Sequence, residues 1–219
     1  MLFFIYKKYK SIFQKNRLYY FLIILAQLHF FLNEKVLASG AYDKGTATGK
    51  NRFELSITLN PYNLMPYGQN YAVLSYGINE YTDIVTYYSK HQNGTKSQYI
   101  GGFFQFFKND KVDFATAFGL RNTNSNKNDI FFPQILYTYK LSNQLSIGGS
   151  IVKVLELDSK ADMGNAVDLS LYFPLNRLKN INDNIKDAFF SVGVFKNTQA
   201  DILKDELYFH YSIDIIFSK

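Results

Sequence analysis

Between Arg52 and Phe217 hydrophobic residues recur at every second position, in runs broken by Asn, Asp, Gly and Ser clusters. Successive side chains of a strand point to opposite faces, so this period specifies strands with one apolar and one polar surface. In Arg52–Asn60, Phe53, Leu55, Ile57 and Leu59 share one face, and Arg52, Glu54, Ser56, Thr58 and Asn60 the other. Val167–Leu175 sets Val167, Leu169, Leu171, Phe173 and Leu175 against Asp168, Ser170 and Tyr172. Leu207–Phe217 sets Leu207, Phe209, Tyr211, Ile213, Ile215 and Phe217 against Tyr208, His210, Ser212 and Asp214. Lys111–Leu120 alternates through Val112, Phe114, Thr116, Phe118 and Leu120. Further runs lie at Tyr71–Ile78, Tyr81–His91, Ser97–Lys108, Asp129–Lys140, Gln144–Leu157 and Ala188–Lys196; the period leaves the facing of Tyr81–His91 open. No helical period persists, and no stretch after Asn51 is long and apolar enough for a transmembrane helix.

The reading is all-β: an antiparallel up-and-down barrel of about ten strands (8–12), over residues 52–217. Tight polar turns at Asn79-Glu80, Asn109-Asp110 and Ser142-Asn143 alternate with longer segments at Pro61–Asn70, Gln92–Lys96, Asn122–Asn128, Asp158–Asn165 and Asn197–Lys204. Runs of about 9–12 residues match a tilted strand crossing hydrocarbon, and short turns on one side with long loops on the other fit a transmembrane barrel. Asn176–Asp187 breaks the rule: it is long and Asn-rich where a short turn is due, so it carries extra structure or the count is off by a strand.

Alternation alone does not say which face is outside. A soluble periplasmic lipid- or ligand-binding barrel turns its apolar face inward. The polar faces carry both signs of charge, and lipid outside makes Arg52, Glu54, Lys111, Asp113, Asp168, His210 and Asp214 lumen-facing residues of a narrow, ion-paired interior. Tyr67, Tyr71, Tyr137, Tyr139, Tyr208 and Tyr211 lie near strand ends, as interfacial girdles require. The chain has 18 Tyr and 21 Phe for this purpose and no Trp.

The last run, Tyr208-Phe209-His210-Tyr211-Ser212-Ile213-Asp214-Ile215-Ile216-Phe217, resembles the closing strand of small bacterial outer-membrane β-barrels. Tyr76–Asp83 resembles their turn-centred hairpins. The resemblance implies an outer-membrane address, contact with outer-membrane lipid, and an assembly signal in Tyr211, Ile213, Ile215 and Phe217 that the assembly machinery reads. Here Ser218 and Lys219 follow the terminal aromatic, a departure from that pattern.

The first residues agree with export. Lys7 to Arg17 form a basic region, Leu18 to Leu32 an apolar one, and Val36-Leu37-Ala38 a cleavage pattern, so residues 1–38 read as a secretory signal cut after Ala38. Residues 39–51, rich in Gly, Thr, Ala and Lys, read as a flexible lead-in. Of 24 basic and 18 acidic residues, Lys7, Lys8, Lys10, Lys15, Arg17, Lys35 and Glu34 fall in the leader, leaving 18 against 17. The net +6 is therefore not a nucleic-acid footprint.

Little catalytic chemistry stands out. No Cys is present, which excludes thiol catalysis and thiolate metal sites. His210 and Ser212 share a face about 7 Å apart, and His-x-Ser on one strand is similar to outer-membrane lipid A deacylases. The Asn-Ala that normally follows is missing, and Asp214 lies about 13 Å from His210. Gly45–Asn51 lacks the spacing of a phosphate loop, and the acidic residues Glu156, Asp158 and Asp162 lack a Ca²⁺-loop pattern. No cofactor or metal is expected. The leading expectation is a non-enzymatic barrel, either a narrow pore or a structural, surface-exposed scaffold. A lipid-modifying enzyme using His210 and Ser212 and the soluble binding barrel are the alternatives.

Overall fold

Each period-two run forms a strand because only the extended backbone delivers its apolar residues to one surface. The computed structural model describes residues 44–59, 69–91, 96–123, 130–158, 162–197 and 208–218. The segment read as a signal, 1–38, its expected cleavage site at Ala38 and residues 39–43 of the lead-in lie outside the described residues, as does most of each longer connection. The strands are β1 (Arg52–Leu59), β2 (Gln69–Gly77), β3 (Thr82–His91), β4 (Lys96–Lys108), β5 (Val112–Thr123), β6 (Ile130–Phe131), β7 (Gln134–Ser142), β8 (Leu145–Glu156), β9 (Asp162–Pro174), β10 (Ile185–Asn197) and β11 (Tyr208–Ser218).

β6 and β7 both pair with β5 on one side and β8 on the other, so they are one stave interrupted at Phe132-Pro133. Pro133 has no N–H to give a ladder. The gap is bridged by Phe132 N–H donating to Gly119 O (3.0 Å) and Lys153 N–H donating to Pro133 O (2.9 Å). Ten staves result, each antiparallel to its sequence neighbours. β1 closes the ring on β11, from Arg52 opposite Ser218 to Leu59 opposite Tyr211. The protein is a closed ten-stranded antiparallel barrel, which leaves no exposed sheet edge.

The short turns share one end with residues 44–51 and Ser218. An Asn or Ser side chain closes each turn by mimicking a backbone acceptor. Asn79 Oδ1 accepts from Tyr81 N–H (2.8 Å), Asn109 Oδ1 from Lys111 and Val112 N–H (2.8 and 2.6 Å), and Ser142 Oγ from Gln144 N–H (3.1 Å). The long β9–β10 connection holds a helical turn, α1 (Asn176–Lys179), and ends with Asn182 Oδ1 accepting from Asn184 N–H (2.9 Å). The extra length is structure at this end, and the strand count stands.

The apolar face is outside. Ile57, Ile84, Ile100, Ile135, Ile151, Leu169 and Ile213 are exposed around the wall, Ile100 by 60%. That overturns the inward-facing soluble barrel. β3 resolves in the same sense: Asp83, Val85, Tyr87 and Ser89 point in, Ile84, Thr86, Tyr88 and Lys90 out. The interior holds a small core of its own. Tyr71 turns inward rather than into a girdle, edge-on to Tyr87 (5.4 Å), which stacks on Tyr99 (5.0 Å, planes within 4°). Tyr99 folds over the facing pair Gly101 and Gly119, where a Cβ would collide with its ring. Only glycine leaves room for that ring.

Candidate functional site in the barrel lumen

Inward alternation places five carboxylates in the lumen: Glu54, Asp83, Asp113, Asp168 and Asp214 are all buried among the described residues. His210 is buried with them. Arg52 and Lys111 are not: both are exposed at the turn end. Arg52 is the first residue of β1 and Lys111 precedes β5, so both lie at the rim. The expected ion pairing therefore draws on other cations. Lys140 of β7 reaches Asp113 at 3.1 Å, and Lys44 pairs with Glu54.

Lys44 belongs to the segment read as a flexible lead-in. Residues 44–51 are instead a strap held inside the barrel mouth. Gly45 N–H donates to Thr138 Oγ1 (2.9 Å), and Thr46 Oγ1–H to Asp113 (2.7 Å). Ala47 N–H donates to Gln105 Oε1 (3.1 Å), and Thr48 N–H to Asp83 Oδ2 (2.9 Å). Thr48 Oγ1–H donates to Glu54 Oε2 (3.2 Å). Gly49 and Asn51, with φ of 89° and 57°, turn the chain from strap into β1. Small residues suit this course. A Cβ at Gly45 would stand 2.8 Å from Tyr137 Cα and 2.9 Å from the Asp113 carbonyl oxygen. Period-based reading misses the strap because its order comes mostly from side chains 35 to 93 residues away, with Glu54 the near exception, and not from its own pattern.

The electrostatics favour a charged lysine. Burial works against the Lys44 ammonium, but Glu54, then Asp214 and Asp83, outweigh it and hold its pKa above the usual lysine value. Below the strap a vestibule of about 490 Å³ opens at the turn end, rimmed by Arg52, Glu80, Lys108, Asp110 and Lys140. Beyond it, a cavity of about 40 Å³ lies among Lys44, Glu54, Ser56, Asp83 and Asp214.

His210 and Ser212 each bond to other side chains. His210 Nε2 lies 3.3 Å from Ser170 Oγ on β9. Ser212 Oγ shares a hydrogen bond with Ser191 Oγ (2.7 Å) and donates to Asp214 (3.1 Å). Both residues are buried inside the wall that a lipid substrate touches from outside. Asp168 is engaged by the Ser150 hydroxyl and backbone N–H. Among the described residues no group of three His, Cys, Asp or Glu has the geometry of a metal centre. In β11, Tyr211, Ile213, Ile215 and Phe217 all point outward, with Phe217 opposite Phe53 and Ile185.

Comparison with known proteins yields a fold. No protein-family model and no curated protein matches the chain. Among solved structures it is similar to the KdgM porin, with a TM-score of 0.50 at 9% identity over 77% of this chain and 99% of that one. The KdgM porin in complex with disordered oligogalacturonate matches equally, also at 9% identity, 77% and 99% coverage and a TM-score of 0.50. The NanC porin is a more distant likeness, with a TM-score of 0.37 at 7% identity over 76% and 99% of the two chains.

Proposed function

We propose that this chain is a non-enzymatic outer-membrane barrel of the narrow-pore kind, held shut at the turn-side mouth by its own strap. The observation that carries this reading is the inversion of polarity: a mainly apolar exterior around an interior of carboxylates, hydroxyls and amides among the described residues. That arrangement suits a wall in lipid and a path for polar species. The porin-type fold and the export signal read in residues 1–38 support the same address, and the closing strand supplies the signal for assembly there.

The lumen chemistry also limits the cargo. Ten strands enclose a channel little wider than one that side chains fill, and the tyrosine column fills part of it. Five inward carboxylates oppose an anionic solute, so the oligogalacturonate named for the KdgM porin is not the cargo proposed here. Small cations fit better. The enzymatic alternative has no support in the placement of His210 and Ser212.

Export and conduction test the reading together. The full chain, expressed with its leader in a Gram-negative host, should fractionate with the outer membrane. In planar bilayers it should give brief, small, cation-favouring openings. Recovery in the soluble periplasm would overturn the address, and steady silence would leave a plugged scaffold.

A further inference from the structure

Three lumenal carboxylates, Glu54, Asp83 and Asp214, border the cavity of about 40 Å³ that Lys44 also lines. They come from β1, β3 and β11, so ring closure brings them together. Glu54 takes the Lys44 ammonium and the Thr48 hydroxyl. Asp214 accepts from the Ser56 and Ser212 hydroxyls. Asp83 is the odd one. It is 4% exposed and its Oδ2 accepts from Thr48 N–H, but Oδ1 has no hydrogen-bond partner among the described residues. A buried carboxylate oxygen left without a donor is costly unless a positive charge satisfies it.

Three acids thus face one tethered cation. The ammonium offers a compact single charge with three donors, and the space around it is comparable to one water molecule, about 30 Å³. We infer that Glu54, Asp83 and Asp214 form a binding site for a primary ammonium ion, and that Lys44 is its built-in occupant. The strap is then a tethered competitor: free primary ammonium ions enter the site when Lys44 leaves it. The lining offers acceptors for ammonium N–H donors, carboxylates with the Ser56 hydroxyl beside them, and no group of acids placed to coordinate a metal ion among the described residues. The inference deepens the pore reading and rests on it for access, since the ion enters through the vestibule.

Rescue of a Lys44→Ala variant tests it. The full-length mature chain is refolded in detergent, and the temperature at which its folded gel mobility is lost is measured at constant pH and ionic strength. The salts are N-methyl-D-glucamine, sodium and methylammonium chloride. The variant should melt several degrees lower than wild type in the bulky cation and in sodium and recover in methylammonium, while wild type melts alike in all three. Adding Asp214→Asn should abolish the recovery. An equal midpoint for Lys44→Ala in all three salts overturns the site. Lys44→Met, which keeps the length of the side chain, serves if the Ala variant does not fold. Failure of both to fold in every salt also overturns it, because a free ion then does not replace the tethered one. Bilayer recordings of the same variant separate the two readings. Rescue with electrical silence leaves the site and removes the pore; currents without cation preference and without rescue leave the pore and remove the site.

Discussion

At Gly77 the backbones of the strap and the wall lie directly against each other. Asn51 N–H donates to its carbonyl at 2.8 Å, and a Cβ there would overlap the Gly49 carbonyl. Gly77→Val should therefore expel the strap while leaving the ladder, because the residue ends β2 and makes its pairing with Asp83 through the backbone. The absence of Cys makes the measurement clean. Ala47→Cys, placed in the strap, should react with a maleimide much faster in the Gly77→Val background, and an unchanged rate would mean that the strap has another course. Lys44 gives the strap a pH dependence of defined sign. Its folded pKa is raised, so its stabilisation is complete below the unfolded value of about 10.4 and is lost as pH rises through the folded one. Labelling of Ala47→Cys, divided at each pH by the rate of a fully exposed cysteine to remove thiol ionisation, should stay slow through neutrality and accelerate only in that alkaline range. Acceleration near neutral pH would show that Lys44 is not what holds the strap.

At the scale of elements, the strands divide into an inner and an outer surface that respond differently to charge. Ile151, central in β8, is 55% exposed on the outer wall. Ile151→Arg should cost about 2–4 kcal/mol in vesicles, the penalty for a cation on a lipid face near mid-membrane. The measurement is denaturant unfolding of vesicle-inserted protein, and a loss below 1 kcal/mol would place that face away from lipid. The strands were legible because each is amphipathic, and period two fixes a face without any tertiary information. Tyr81–His91 was not, because Val85 and Tyr87 point in while Ile84 and Tyr88 point out, so both faces read as apolar. Alternation also gives face but not depth: Arg52 and Lys111 have the right parity yet sit at the rim. The inward carboxylates could be picked out by parity, whereas their counter-cation could not. Lys44 lies in a segment with no period at all, and the turn at Gly49 and Asn51 brings it back to Glu54 ten residues on.

The whole molecule depends on one long-range event, the pairing of β1 with β11. Leu55 lies opposite Ile215 in that seam, 160 positions later in the chain, with Ser56 opposite Asp214 beside it. Cβ atoms of directly opposed residues in an antiparallel pair stand about 4.5–5.5 Å apart, near enough for a disulfide after small adjustment. The double variant Leu55→Cys/Ile215→Cys should therefore oxidise within one chain once the barrel has closed. Both side chains point outward, so the bond leaves the lumen and the Lys44 site untouched. A one-residue slip of the seam would turn one cysteine inward and prevent the bond, which makes the cross-link a test of register as well as closure. Unboiled wild-type protein should migrate faster on a gel than boiled protein, because the closed barrel resists detergent unfolding. Boiled, oxidised double variant should migrate unlike boiled, reduced variant, since its chain remains a covalent loop. Efficient cross-linking in the folded state, and its loss when the chain is oxidised in urea, would establish the seam. Equal cross-linking in both states would mean that the two ends meet without a barrel, and the reading of a closed, strap-filled lumen would fall with it.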